Sequence, residues 1–231
     1  MKRFVVGDIH GAYKALEQCL ERSGFDRDKD LLISLGDISD GWPEVHKTID
    51  LILSLKNFQA VLGNHDAWAL RWMLSGWKGS EWTGQGGEAT LESYQNSRKN
   101  VPQSHKQLFE SAPFFLELGN KLFVHGGLES GIEIRKQDPE FLLWDRNLLY
   151  DAVRKSRMGV HHQYGPWEDI FIGHTTTQVY KTFEPIHACN VWAMDTGAGW
   201  SGKLTLMDVD SHQFWQSDFT PDLYPEHPGR R

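Results

Sequence analysis

Five short segments constrain this chain more than any other feature, because each sets glycine beside a side chain able to bind a metal: Gly7-Asp8-Ile9-His10-Gly11, Gly36-Asp37, Gly63-Asn64-His65-Asp66, His125-Gly126-Gly127 and Gly173-His174. Each follows an apolar run of strand character, in order Arg3 to Val6, Leu31 to Leu35, Phe58 to Leu62, Lys121 to Val124 and Ile170 to Ile172. Glycine lets the backbone turn sharply at a strand end and come close to whatever is bound there. A single Gly-Asp pair reads as an ordinary turn, and a lone histidine as a hydrogen-bonded core or surface residue. Repetition at five strand ends points to one composite site.

The connections between these segments set the fold class. Tyr13, Leu16, Cys19 and Leu20 recur at helical spacing within Ala12 to Arg22, and Val45, Ile49, Ile52 and Leu53 do so within Val45 to Leu55. Strands that alternate with helices pair in parallel through right-handed crossovers, giving an α/β domain whose strand carboxyl ends share one edge. Beyond Leu62 the pattern changes. Ala67 to Leu74 reads as helix, and Trp68, Trp72, Trp77 and Trp82 crowd a helical, cap-like segment over about 67–110. From Phe114 onward short apolar runs at Phe114 to Leu118, Lys121 to Val124, Ile170 to Ile172, Val191 to Met194, Leu204 to Val209 and Gln213 to Trp215 predict a second sheet with antiparallel hairpins. Gly119-Asn120 and Asp210-Ser211 fit its tight turns. Residues 1–219 read as a single domain. The tail over 220–231, with Pro221, Pro225, Pro228 and Arg230-Arg231, has little to bury and is expected to be loosely held.

Charge narrows the partners. A formal net charge of −7 and a sequence pI of about 5.9 give no general reason to expect nucleic acid or an anionic membrane as a partner. The first apolar stretch ends at Gly7-Asp8, too early for a signal peptide, and no apolar segment is long enough to cross a bilayer. Cys19 and Cys189 are read as reduced thiols, consistent with a cytoplasmic location.

Carboxylate, imidazole and amide ligands together suit manganese, iron or zinc better than calcium, which prefers oxygen alone. The ordered segments resemble the signature of the phosphoprotein phosphatase superfamily of calcineurin-like metallophosphoesterases, which includes bacterial protein phosphatases and symmetrical diadenosine tetraphosphate hydrolases. The resemblance spans Gly7 to roughly Gly197 and implies two packed mixed β-sheets flanked by helices, with a metal site at the strand carboxyl ends. It implies that Asp8 and His10 bind one divalent ion, that Asn64, His125 and His174 bind a second, and that Asp37 bridges the two. Manganese is the first choice, with iron, zinc, nickel or magnesium as alternatives. His65, oriented by Asp40, would protonate the leaving-group oxygen, and Arg146 of Trp144-Asp145-Arg146 would hold the phosphate. The implied activity is phosphomonoester hydrolysis by a hydroxide held between the ions, with a phosphoprotein or small phosphate ester as substrate.

Two departures from the family pattern bear on substrate. Gly41 stands where the second motif usually has arginine, and Leu62 where a further arginine commonly precedes the motif asparagine. Loss of two bidentate cations weakens phosphate binding; Arg71 or Lys78 is a candidate substitute. Trp68 and Trp72, four apart on one helical face, read as core, whereas Trp42, Trp77 or Trp82 stacking on a base would imply a nucleotide or dinucleotide polyphosphate substrate. A binding module without catalysis is the third reading, opposed by the intact Asp40 and His65. Asp66 and Asp195 are read as structural. The sequence leaves the oligomeric state open.

Overall fold

The computed structural model describes residues 1–96, 100–227 and 229. Two five-stranded sheets pack face to face. The first has the order β10-β9-β1-β2-β3, formed by β1 (Arg3–Val6), β2 (Leu31–Ser34), β3 (Asn57–Ala60), β9 (Thr205–Asp208) and β10 (Phe214–Gln216). The second has the order β4-β5-β6-β8-β7, formed by β4 (Phe115–Leu118), β5 (Lys121–Val124), β6 (Asp169–Ile172), β7 (Ile186–Ala188) and β8 (Val191–Ala193). In each sheet three strands run parallel, β1-β2-β3 and β5-β6-β8; antiparallel β9 and β10 extend the first sheet on the β1 side, leaving β3 at its edge, whereas antiparallel β4 and β7 flank the second sheet on both sides.

Alternation along each strand explains the layers, since successive side chains point to opposite faces. Val5, Ile33 and Met207 of the first sheet meet Phe123 and Phe171 of the second, the two phenyl rings stacked with centroids 5.1 Å apart. Phe4, Val6, Leu32 and Leu206 point the other way, against α1 (Tyr13–Ser23) and α2 (Val45–Ser54). Leu122, Val124, Ile170 and Ile172 cover the outer face of the second sheet beneath α7 (Pro139–Trp144) and α8 (Asn147–Arg157). Helix α1 ends where Gly24 takes a left-handed φ of 65° and bonds its N–H back to Glu21 and Leu20. The tryptophan-rich stretch forms α3 (Asn64–Ser75), α4 (Ser80–Trp82), a π-turn over Thr83–Gly87, α5 (Glu88–Asn96) and α6 (Gln103–Ser111). Residues 97–99, inside the expected cap-like segment, lie outside the described residues.

Three expectations need correction. Leu204 to Val209 and Gln213 to Trp215 do not join the second sheet: β9 pairs antiparallel with β1 and β10 with β9, filling the edge of β1 that β2 leaves open. The second sheet also holds a strand outside the apolar runs, Ile186–Ala188, which pairs antiparallel with β8. The start of the tail is also held rather than loose. Thr220 is fully buried and opens the short α9 (Thr220–Leu223), with its hydroxyl donating to the Ala198 carbonyl at 2.9 Å. Tyr224 stacks on Trp42 at 5.0 Å and donates its hydroxyl to Glu44 at 2.8 Å. The indole of Trp42 needs a cover, which the proline spacing conceals. Pro228, Arg230 and Arg231 lie outside the described residues. Among the described residues no helix is long and apolar enough to cross a membrane, and Cys19 and Cys189 form no disulfide.

Candidate active site

The parallel strands of both sheets end at one edge, and the loops leaving them carry the glycine-flanked residues. Asp8 and His10 follow β1, Asp37 and Asp40 follow β2, Asn64 and His65 open α3 after β3, His125 follows β5 and His174 follows β6. All are buried. His10, Asp37, Asp40 and His174 have φ of 49°, 48°, 70° and 61°. Non-glycine residues avoid this region at a cost of roughly 1–3 kcal/mol each and hold it only where surroundings over-determine it. Two loops touch backbone to backbone: a Cβ at Gly36, where φ is 92°, would lie 2.5 Å from the Gly63 nitrogen, and one at Gly63 would lie 2.2 Å from the Asp37 nitrogen. Only glycine permits that approach.

Asp37 is the hub. Ligand atoms of Asp8, His10 and Asp37 lie within 4.8 Å of one another, and so do those of Asp37, His125 and His174. Its Oδ2 is 3.6 Å from His10 Nε2 and its Oδ1 is 3.4 Å from His125 Nε2. The first turn of α3 also faces it, since the His65 N–H donates to Asp37 Oδ1 at 2.9 Å. A helix amino terminus favours a carboxylate there.

The hydrogen bonds leave this group suited to cations. Leu35 and Ser39 carbonyls sit 2.7 Å from His125 Nδ1 and 3.0 Å from His10 Nδ1. A carbonyl only accepts, so each Nδ1 carries the proton and each Nε2 presents its lone pair toward Asp37. His125 Nε2 then faces Asn64 Oδ1 at 2.9 Å, two acceptors that need a proton or a cation between or beside them. His174 Nε2 is buried with no hydrogen-bond partner among the described residues, while its backbone N–H donates to Asp8 at 3.0 Å. Burial, with help from His125 and Arg146, pushes the His174 imidazole down to about 2, and burial also lowers His125. Each shift favours the neutral imidazole, the form a metal binds. The donors fit a pair of divalent ions sharing Asp37.

His65 belongs to neither ligand group. Its Nδ1 donates to Asp40 Oδ2 at 2.7 Å, and its Nε2 is buried without a hydrogen-bond partner among the described residues. Arg146, just before α8, donates Nη1 to the His174 carbonyl at 3.1 Å, which brings the guanidinium to the rim of the cluster. Asp66 accepts from the Ile38 and Ser39 N–H groups at 2.9 and 3.0 Å and from the Gly63 N–H at 3.3 Å, tying two loops together. Burial and the neighbouring Asp37 push its carboxyl up to about 7. Asp195 likewise accepts from the Gly197 N–H at 2.9 Å.

The tryptophans are distributed differently from expectation. Trp82 and Trp42 are 0% and 1% exposed, so neither is available to stack on a substrate. Trp82 instead donates Nε1 to Asp40 Oδ2 at 2.8 Å, and Trp42 donates to the Ala198 carbonyl at 2.7 Å. Trp72 packs against the core as expected. Trp68 is half-buried and meets His65 edge-on at 5.1 Å and Trp144 at 5.2 Å, while Trp144, 37% exposed, lies 5.7 Å from the His174 ring. The aromatic wall beside the cluster is thus Trp68 with Trp144, and only the Trp-Asp-Arg motif pointed to it. Arg71, a candidate phosphate ligand, sits over the Trp77 ring at 4.1 Å. At Gly41, with φ of 81°, a Cβ would lie 3.0 Å from His10 Cβ, so this backbone disfavours the arginine expected there.

Comparison with known proteins agrees with this geometry. The sequence pattern of the family described as calcineurin-like phosphoesterase matches residues 1–200. Serine/threonine-protein phosphatase 2 of Escherichia coli (strain K12) is 30% identical, covering 89% of this chain and 92% of that protein. A symmetrical bis(5'-nucleosyl)-tetraphosphatase of Neisseria meningitidis is 24% identical, covering 94% of this chain and 95% of that protein. Among solved structures, a metallophosphoesterase from Sphaerobacter thermophilus superposes with a TM-score of 0.58 at 18% identity, covering 97% of this chain and 95% of that one.

Proposed function

The chain belongs to the calcineurin-like phosphoesterase family and is a phosphoric ester hydrolase, and we propose that its substrates are phosphomonoesters, either phosphoproteins or small phosphate esters. The observation that carries this reading is the Asp37 carboxylate shared between two ligand groups, beside an imidazole that belongs to neither.

In this reading Asp8, His10 and Asp37 hold one divalent ion, and Asp37, Asn64, His125 and His174 hold the other, with manganese the first choice. When bound, such a pair supplies charge stabilisation at phosphorus and lowers the pKa of a shared water. Hydrolysis forms a bond from the water oxygen to phosphorus and breaks the bond to the leaving oxygen. His65 gives its Nε2 proton to that oxygen, and Asp40 holds the ring with its Nδ1 proton directed away from the reaction. Arg146 contributes a guanidinium to the phosphate oxygens.

A nucleotide substrate is the second reading, supported by the Trp68 and Trp144 pair and by the relatives named as nucleosyl tetraphosphatases. The adjoining cavity of about 890 Å³ weighs against a polyphosphate, because Glu129, Asp138 and Glu140 line it beside Arg146. Polyanions are repelled by such a rim. Turnover of a phosphopeptide and of a dinucleotide tetraphosphate, each after chelator treatment and manganese addition, separates the readings. Metal-restored cleavage of the phosphopeptide is expected; turnover that persists in chelator rejects the metal assignment, and cleavage of the dinucleotide alone selects the second reading.

A further inference from the structure

Asp40 stands behind His65, the proposed acid, and among the described residues every hydrogen bond to its carboxylate other than that of His65 comes from the tryptophan-rich segment. Oδ1 accepts the Thr90 hydroxyl at 2.6 Å, and Oδ2 accepts both Trp82 Nε1 at 2.8 Å and His65 Nδ1 at 2.7 Å. The Asp40 backbone N–H returns a bond to Thr90 Oγ1 at 3.0 Å, and the next N–H, of Gly41, donates to the Gly86 carbonyl at 3.0 Å. Asp40, Trp82 and Thr90 are all fully buried, so water does not substitute for any of these donors.

The segment is shaped to deliver them. The π-turn over Thr83–Gly87, with Gly86 at φ 104°, bends the chain between α4 and α5 so that Trp82 and Thr90 reach the same carboxylate from two helices. Gly87 lies directly on the indole, since a Cβ there would come within 2.5 Å of Trp82 Cε2. Trp72 and Trp77 flank the other sides, with ring centroids 5.9 and 6.0 Å from that of Trp82. A buried aspartate carboxylate otherwise has a broad, roughly two-fold χ2 preference, and each orientation would turn the imidazole differently.

We infer that Trp82 and Thr90 are positioning residues for hydrolysis: they lock the Asp40 carboxylate so that it holds the His65 ring in one orientation toward the leaving oxygen. The cap-like segment thereby acts as a buttress beneath the proton donor. This inference rests on the reading of His65 as the acid.

The test compares two monoesters, a phosphoseryl peptide, whose leaving oxygen needs a proton, and 2,4-dinitrophenyl phosphate, whose leaving group departs as an anion. Trp82→Phe keeps a ring and removes one N–H, and Thr90→Val keeps the shape and removes the hydroxyl. Each is expected to lower kcat on the phosphopeptide about 10- to 100-fold with KM little changed, the scale typical when a supporting hydrogen bond is lost. Turnover of the dinitrophenyl ester should stay within about threefold, because it draws little on an acid. Thr90→Ser restores the phosphopeptide rate, and Trp72→Phe, which loosens packing without touching Asp40, does not separate the two esters. In an Asp40→Asn background the Trp82 and Thr90 changes add nothing further. Independently of turnover, the low-field proton NMR signal of His65 Nδ1 is expected to shift in both variants and vanish in Asp40→Asn. Equal losses on both esters, or no separation in either variant, overturn the inference; should Trp82→Phe fail to fold, Thr90→Val decides. A His65→Asn enzyme that does not separate the esters removes the acid reading itself, whereas one that does, beside indifferent Trp82 and Thr90 variants, removes only the buttress.

Discussion

Stripping and restoring divalent ions should change the stability of the fold by an amount that follows from the site. Asp8 and Asp37 are buried carboxylates 2% and 1% exposed, and His125 Nε2 meets Asn64 Oδ1 with no proton between them in the neutral tautomer. A cation satisfies all these acceptors in the folded chain alone, because the unfolded chain does not gather five loops. An ion that binds only the folded state at a hundred times its Kd stabilises by about 2.7 kcal/mol. For a chain of this size each kcal/mol moves Tm by about 2–4 °C, so one occupied site raises it by ~5–11 °C and two by ~11–22 °C. Differential scanning fluorimetry of chelator-treated protein, titrated with manganese, measures this directly. Calcium should produce a smaller shift, since imidazole ligands match it poorly. Asp37→Asn removes the anion common to both groups and should cut the manganese shift to less than about half. A Tm indifferent to manganese, or a full shift retained in Asp37→Asn, would refute the shared-carboxylate site.

Other expectations concern single residues. His65→Asn should reduce phosphopeptide turnover by about 10²- to 10⁴-fold while metal content by elemental analysis stays unchanged; full activity would take the proton away from His65. Arg146→Ala should lower kcat/KM for a phosphate monoester by about 10²-fold or more, and an unchanged value would remove the guanidinium from the phosphate. At the opposite end of the strands, Lys121 and Asp169 form a buried ion pair that His212 also joins at 3.1 Å. Lys121→Met leaves Asp169 with only His212 and the Trp192 indole N–H as side-chain partners among the described residues and should destabilise by about 1–3 kcal/mol in denaturant titration, with the turnover of the folded enzyme preserved. Burial alone would raise Asp169, but Lys121 and His212 overcome it and hold its carboxyl below the ordinary range. A depressed carboxylate contributes stability above its unfolded value of about 3.9, and that contribution fades as pH falls further. Wild-type stability should therefore drop between about pH 5 and 3 more than that of Lys121→Met, and parallel curves would contradict the pairing.

The candidate ligands were legible because each lies within a few residues of its strand end and beside a glycine that the turn requires. Short-range constraints of that kind survive in the order of residues, as at Gly36-Asp37 and Gly63-Asn64. The helices α1 and α2 were equally plain, since one apolar face repeats along each. What the order of residues concealed depends on contacts between distant segments. Nothing near Thr205–Asp208 announces that it pairs with β1 rather than with the second sheet, because an apolar run satisfies either edge. Trp82 and Thr90 carry no motif, and they matter only because a π-turn brings them to Asp40, 42 and 50 residues away in sequence. Trp82 was read as a possible stacking surface for the same reason: its indole N–H shows its value only once a buried carboxylate stands opposite. Local turn chemistry therefore marked which residues are the candidate metal ligands. Only tertiary packing decided what holds them still, because a buried polar group chooses its partner from whatever the fold brings within 3 Å.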